Sequence, residues 1–232
     1  MDKYLFLLIA VFLFVPWFVV WFFREDLRQR MLKAGVGASI FGPLLESWFL
    51  RDYWRPPFIF EEPFIPIEDV IFGFVIAGLA VSLYDAVFGV KNIGAEKSRK
   101  KIFGVLFILC FVSLIVFNNW LGFNTVFVNT FTFLLLTVVM LWMRRDLVMP
   151  AIFSGVLTAL VSIPIYMFLF NWLSPSYWDS YWFLADTEYG MTVIGNIPLT
   201  ELLWYFSWGC FAGAGYNFVS GQAKVKYARY SF

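Results

Sequence analysis

Ile65-Pro66-Ile67-Glu68-Asp69-Val70-Ile71-Phe72-Gly73-Phe74 returns 132 positions later as Ile197-Pro198-Leu199-Thr200-Glu201-Leu202-Leu203-Trp204-Tyr205-Phe206. The alignment runs without gaps from 65–89 onto 197–221. Its identical pairs are Ile65/Ile197, Pro66/Pro198, Phe74/Phe206, Ala80/Ala212, Tyr84/Tyr216, Val87/Val219 and Gly89/Gly221. Upstream, Trp21-Phe22-Phe23-Arg24-Glu25-Asp26-Leu27 resembles Trp142-Met143-Arg144-Arg145-Asp146-Leu147, and Pro43 falls opposite Pro164. A self-match over this length marks two copies of one structural unit.

Working outward from the match, the composition decides the solvent. Of the 232 residues 61% are hydrophobic and 14% charged, with a mean hydropathy of +0.76. A soluble domain carries about a quarter charged residues, so this is a membrane protein rather than a disordered or nucleic-acid-binding chain. There is no histidine, which rules out a Ser-His-Asp site and any His-ligated metal or haem. Cys110 and Cys210 lie in apolar runs and read as packing residues.

Crossing a bilayer takes about 20 apolar residues. Seven such runs emerge, at about 4–22, 32–50, 66–89, 101–120, 124–143, 149–173 and 197–220, with a tight hairpin at Leu121-Gly122-Phe123. The first run lacks a cleavage site before Arg24 and is expected to stay in the protein as helix 1, not to act as a signal peptide. Seven spans put fourteen basic side chains in the loops and tail of one side and three (Lys3, Arg51, Arg55) on the other. Basic loops stay cytoplasmic, so the N-terminus is expected outside and the C-terminus inside.

The expected fold is therefore an all-α polytopic membrane protein of seven transmembrane helices: two parallel three-helix repeats joined by a linker helix. The first repeat spans 1–90, linker helix 4 spans 91–123, the second repeat spans 124–222, and a basic cytoplasmic tail covers 223–232. Both Ile-Pro motifs then sit at the outer ends of helices 3 and 7, where they line one central cavity.

A proline at the first helical position followed by acids suits any helix N-terminus, because the proline loses no hydrogen bond and carboxylates complement the dipole. That plain reading must be set against two facts. The motif occurs twice, and ionisable groups at membrane depth are costly and usually functional.

The duplicated proline-x-acid-acid motif, in a small chain of about seven spans, resembles the non-flavin lycopene cyclases. Glu68 and Asp69 match that pattern, as does Glu201; Thr200 departs from it, where a further acid is expected. The resemblance implies a redox-neutral isomerisation. An acid protonates the terminal alkene of an acyclic carotenoid, a carbocation closes the ring, and a base removes a proton, all in a dry pocket. The catalytic residues it implies are Glu68, Asp69 and Glu201. Adjacent helical residues point about 100° apart, so Glu68 and Asp69 cannot both address one atom. Glu68 is the expected acid facing the cavity, with Asp69 or Glu201 as base or proton-sharing partner. Aromatic faces suit a cationic intermediate, so Phe72, Trp204, Tyr205 and Trp208 are the expected substrate-binding residues. Glu46, an intramembrane acid one turn after Pro43, joins them unless it simply pairs with Arg51 or Arg55.

No metal or cofactor is implied. The expected partners are a lipophilic carotenoid or isoprenoid and the bilayer, with no nucleic acid; a homo-oligomer is left open. The alternatives are a non-catalytic carotenoid- or lipid-binding relative and a small 3+1+3 transporter. Polar residues along the whole cavity would favour transport, and polar groups at its outer end alone the cyclase. Asp85 and Asn217, at matching positions near the inner ends, are the best sign of a second polar layer. A retinal-binding protein is disfavoured, because 197–220 contains no lysine.

Overall fold

A computed structural model describes residues 2–60, 66–94 and 97–226. Ile65, at the head of the first motif, and the tail beyond Lys226 lie outside the described residues. A helix occupies each of the seven apolar runs. These are α1 (Leu5–Phe23), α2 (Arg28–Asp52), α3 (Ile67–Ala80) continued by α4 (Leu83–Val87), and α5 (Lys100–Ser113) continued by a π-helical turn, Leu114–Trp120. They are followed by α6 (Thr125–Met143), α7 (Val148–Tyr166) with its own π-helical extension Met167–Leu173, and α9 (Leu199–Ser220). A short α8 (Tyr177–Tyr181) lies between α7 and α9.

Among the described residues, four helices are long and apolar enough to cross a membrane: Asp2–Phe23, Lys100–Trp120, Thr125–Met143 and Arg145–Leu173. Their outward faces are apolar, and exposed tryptophans stand near helix ends, at Trp120, Trp142 and Trp172. Such faces are incompatible with water and suit lipid flanked by interfacial aromatics.

The hairpin between the α5 and α6 runs is a four-residue turn. Gly122 adopts φ +73°, and the Asn124 side chain caps α6 by accepting from Val126 N at 3.0 Å. Asp52, at the end of α2, fastens this turn by accepting from Asn118 Nδ2 (2.5 Å) and Thr125 N (2.9 Å).

α3 packs chiefly on α2 and then α1, and α9 chiefly on α7 and then α6. Small residues let these backbones close. A Cβ on Gly73 would lie 2.8 Å from the Ala38 carbonyl oxygen, and one on Gly209 would lie 2.7 Å from Thr158 Oγ1. The two sequence copies also end alike. Gly89 (φ +59°) and Gly221 (φ +72°) turn the chain in the left-handed conformation that glycine adopts without steric cost. Each opens a strand, and the two strands, β1 (Val90–Gly94) and β2 (Gln222–Lys226), pair antiparallel with each other.

This end of the molecule, the basic end, is stapled by two matching corners. Arg24 donates to Asp26 through Nε (2.9 Å) and Nη2 (2.8 Å), and Arg144 donates to Asp146 through Nε (2.7 Å) and Nη2 (2.6 Å). The hydrogen-bonded guanidinium holds each carboxyl below its ordinary value of 3.8. A carboxyl lowered in the folded state contributes stability above its ordinary pKa and loses it as pH falls through the folded one. The thermal midpoint is therefore expected to drop as pH falls below about 4. An Asp26→Asn/Asp146→Asn variant should show a shallower acid-side decline in a melting series, and an unchanged slope would exclude the two corners as its source.

Candidate functional site

Pro66 and Pro198 precede α3 and α9 with nearly the same backbone angles, φ/ψ −62°/130° and −60°/133°. Each places its acids in the first helical turn, at what we call the acid end. The loops after α2 and α7 fold over this end. Arg55 N donates to the Tyr181 carbonyl and Phe183 N to the Tyr53 carbonyl, both at 2.9 Å, and Trp54 pairs with Trp182. Tyr177 and Trp178 are buried beneath them.

Between α2, α3, α5, α6 and α9 lies a cavity of about 460 Å³. Glu46 and Asp69 are the acids on its wall, and Phe72, Trp204 and Trp208 form an aromatic face. Trp204 and Trp208 stack at 6.2 Å, and Phe72 lies 6.0 Å from Trp204. Trp204 Nε1 donates to Asn129 Oδ1 (3.0 Å), which fixes that wall. Lysines, Lys33 and Lys100, line the cavity only toward the basic end.

The structure reverses the expected orientation of the motif acids. Glu68, expected to face the cavity, is 1% exposed and is not on its wall; its Oε1 accepts from Ile59 N at 2.8 Å and ties the loop to α3. Asp69 lines the cavity instead, at 4% exposure. Among the described residues Asp69 has no side-chain hydrogen-bond partner, and its Oδ2 is buried unpaired. The reason is helical rotation: only one of two adjacent residues can point inward, and the packing of α3 on α2 selects Asp69.

Glu201 stands off the cavity wall, held by two phenols. Its Oε1 accepts from Tyr53 and its Oε2 from Tyr166, both at 2.7 Å. Tyr53 also meets Thr200 Oγ1 (2.9 Å), so the threonine that departs from the acid pattern joins the same network. Tyr205 is buried 3.2 Å from the Tyr166 hydroxyl, not on the cavity wall. Glu46 accepts from Trp54 Nε1 (2.7 Å) rather than pairing with Arg51 or Arg55, and lies within electrostatic reach of Asp69 and Glu201. The structure thus gathers Glu46, Asp69 and Glu201 at one end, with Glu68 behind them.

Sequence reasoning marks Tyr53 and Trp54 only as part of an aromatic outer loop that could cap the cavity or anchor at the interface; their role as donors to Glu201 and Glu46, and that of Tyr166, escapes it. Tyr53 and Glu201 are 148 positions apart, and a tyrosine among eleven carries no signal of its own. The second polar layer is real but sits outside this site. Asp85 accepts from Arg30, Lys224 and Asn92, and Arg30 Nη2 donates to Asn217 Oδ1 (2.7 Å).

Fold and site together define a class: a helical bundle with apolar outward faces, whose cavity is addressed by carboxyl groups at one end. Residues 124–219, from the start of α6 almost to the end of α9, match the family model described as Lycopene cyclase, in agreement with the resemblance carried by the motif. No curated protein and no solved structure matches the chain.

Proposed function

We propose that the protein is an integral-membrane cyclase that converts the acyclic end group of a lycopene-type carotenoid into a ring by proton addition and removal. One observation carries this reading: two carboxyl groups, Glu46 and Asp69, close one end of a cavity whose remaining wall is almost wholly apolar and aromatic. Asp69, with no competing side-chain hydrogen bond among the described residues, donates a proton to the terminal alkene. The resulting cation closes the ring against Phe72, Trp204 and Trp208, whose faces stabilise positive charge. Glu46, aimed by Trp54, takes a proton from the ring, so no net oxidation or reduction occurs. Glu201 acts from behind, and its two phenol donors hold it in place. Dryness of the cavity keeps water from capturing the cation.

The topology proposed with this activity is seven spans in two parallel three-helix halves, N-terminus outside and C-terminus in the cytoplasm. The paired corners, the paired proline caps and the paired glycine exits of the two copies support it. A transporter needs polar groups along its whole path, and the middle of this cavity is apolar, which favours cyclisation.

Expression in cells that accumulate lycopene is the test. Mono- or bicyclic pigment is expected by chromatography; lycopene that persists unchanged at high expression of the protein would refute the activity. Cysteine-labelling of a site appended after Phe232 should succeed only from the cytoplasmic side, and labelling from outside would invert the topology.

A further inference from the structure

The wall of the cavity between α2 and α5 is fastened at one end only. At the acid end, Trp48 Nε1 and Arg51 Nη1 donate to Asn119 Oδ1 at 3.1 and 3.4 Å, next to the Asp52 clasp on Asn118 and Thr125. Toward the basic end, no hydrogen bond or ion pair among the described residues joins α2 to α5. The seam is bridged there by Phe41 and Phe107, rings edge-to-face with centroids 4.9 Å apart. Both line the cavity, and Phe41 is 41% exposed.

Gly37 and Gly104 flank this pair on the same wall. A Cβ on either would meet no atom within 4 Å, unlike one on Gly73, which would strike the Ala38 carbonyl. Close helix packing explains Gly73. It does not explain Gly37 or Gly104, whose missing side chains leave open space in the seam. A glycine inside a helix costs roughly 1 kcal/mol relative to alanine, so unfilled space at two of them calls for an occupant.

We infer that the α2–α5 seam is a lateral entrance, and that Gly37, Gly104 and the Phe41–Phe107 pair determine what passes: a slender acyclic isoprenoid chain, taken directly from the lipid. The chain enters with its reactive end directed at Glu46 and Asp69, and its trailing part lies past the two phenylalanines. Lys33 and Glu46, both on the cavity wall, are 13 positions apart on α2, so the track runs roughly 20 Å along the helix at 1.5 Å per residue. The identity of the chain rests on the function proposed above; the entrance itself rests on the geometry of the seam.

The full chain in lipid vesicles tests this. The uptake signal is the part of the tryptophan quenching by bilayer lycopene that is lost in a Trp204→Phe/Trp208→Phe control, which subtracts the nine other tryptophans, and its rate is read by stopped flow. Gly37→Leu and Gly104→Leu each add a Cβ that meets no atom within 4 Å and extend a side chain from it into the open space; uptake is expected to slow at least tenfold with the thermal midpoint retained. Phe41→Ala/Phe107→Ala, which opens the seam, should speed uptake and keeps the test decisive if a leucine variant fails to fold. Unchanged rates in the leucine or the alanine variants, or no uptake by the unsubstituted protein, would overturn the entrance. Normal uptake without cyclic product would overturn only the proposed reaction.

Discussion

Asp69→Asn is expected to abolish ring formation in lycopene-accumulating cells while leaving the protein folded. The substitution keeps shape and removes the acidic proton. An amide does not protonate an alkene, and general acid catalysis is worth about 10²–10⁴ in rate. Asp69 is the favoured donor on structural grounds: it lines the cavity and has no side-chain hydrogen bond to lose among the described residues. Glu68→Gln is the informative contrast. Its contact is with Ile59 N, which the glutamine carbonyl can still accept, so cyclisation should persist within a few-fold. Pigment analysis of both variants at matched expression checks this. Activity retained in Asp69→Asn and lost in Glu68→Gln would return the acid role to Glu68 and refute the orientation of α3 described above.

Asp85→Asn is expected to be the most destabilising single change, by about 3–5 kcal/mol, the range for breaking a buried ion pair from one side. Asp85 is fully buried and answers two cations, Arg30 and Lys224. Burial, with Arg30 beside it, pushes Lys224 down to about 7, so the lysine can shed its proton when Asp85 is removed. Arg30 cannot, because a guanidinium does not deprotonate in proteins. Its charge would be left among Tyr216, whose ring lies 4.7 Å away, and Asn217. Thermal unfolding in detergent measures the loss, and Arg30→Met added to Asp85→Asn should restore part of it. Equal stability of Asp85→Asn and the parent would show that this network does not hold the two halves together.

The contrast between these residues shows how far a sequence of this kind can be read. Helix positions and the hairpin at Gly122 follow from local rules of apolar length, proline at a helix start and glycine in a turn. The clustering of acids at one end follows from the spacing of the duplicated motif, and the match of residues 124–219 to the lycopene cyclase family agrees with that motif. Asp85 and Asn217 are visible as polar residues at equivalent positions, yet Arg30, which links them, is not. It sits 55 residues from one and 187 from the other, among basic residues that orientation alone explains.

What the sequence determined by itself is the set of helices, their order and the end at which the carboxyl groups collect. Only the tertiary structure decided which of two adjacent acids enters the cavity, which phenols hold Glu201, and which seam is left open. The physical reason lies in the solvent. A helix in water is oriented by a polar face that must stay wet, so its periodicity reveals its inward side. Here most of the helices are apolar nearly all round, and their rotation is set by where small residues such as Gly73 and Ala38 let two backbones meet. That information belongs to pairs of helices, and no single stretch of sequence contains it.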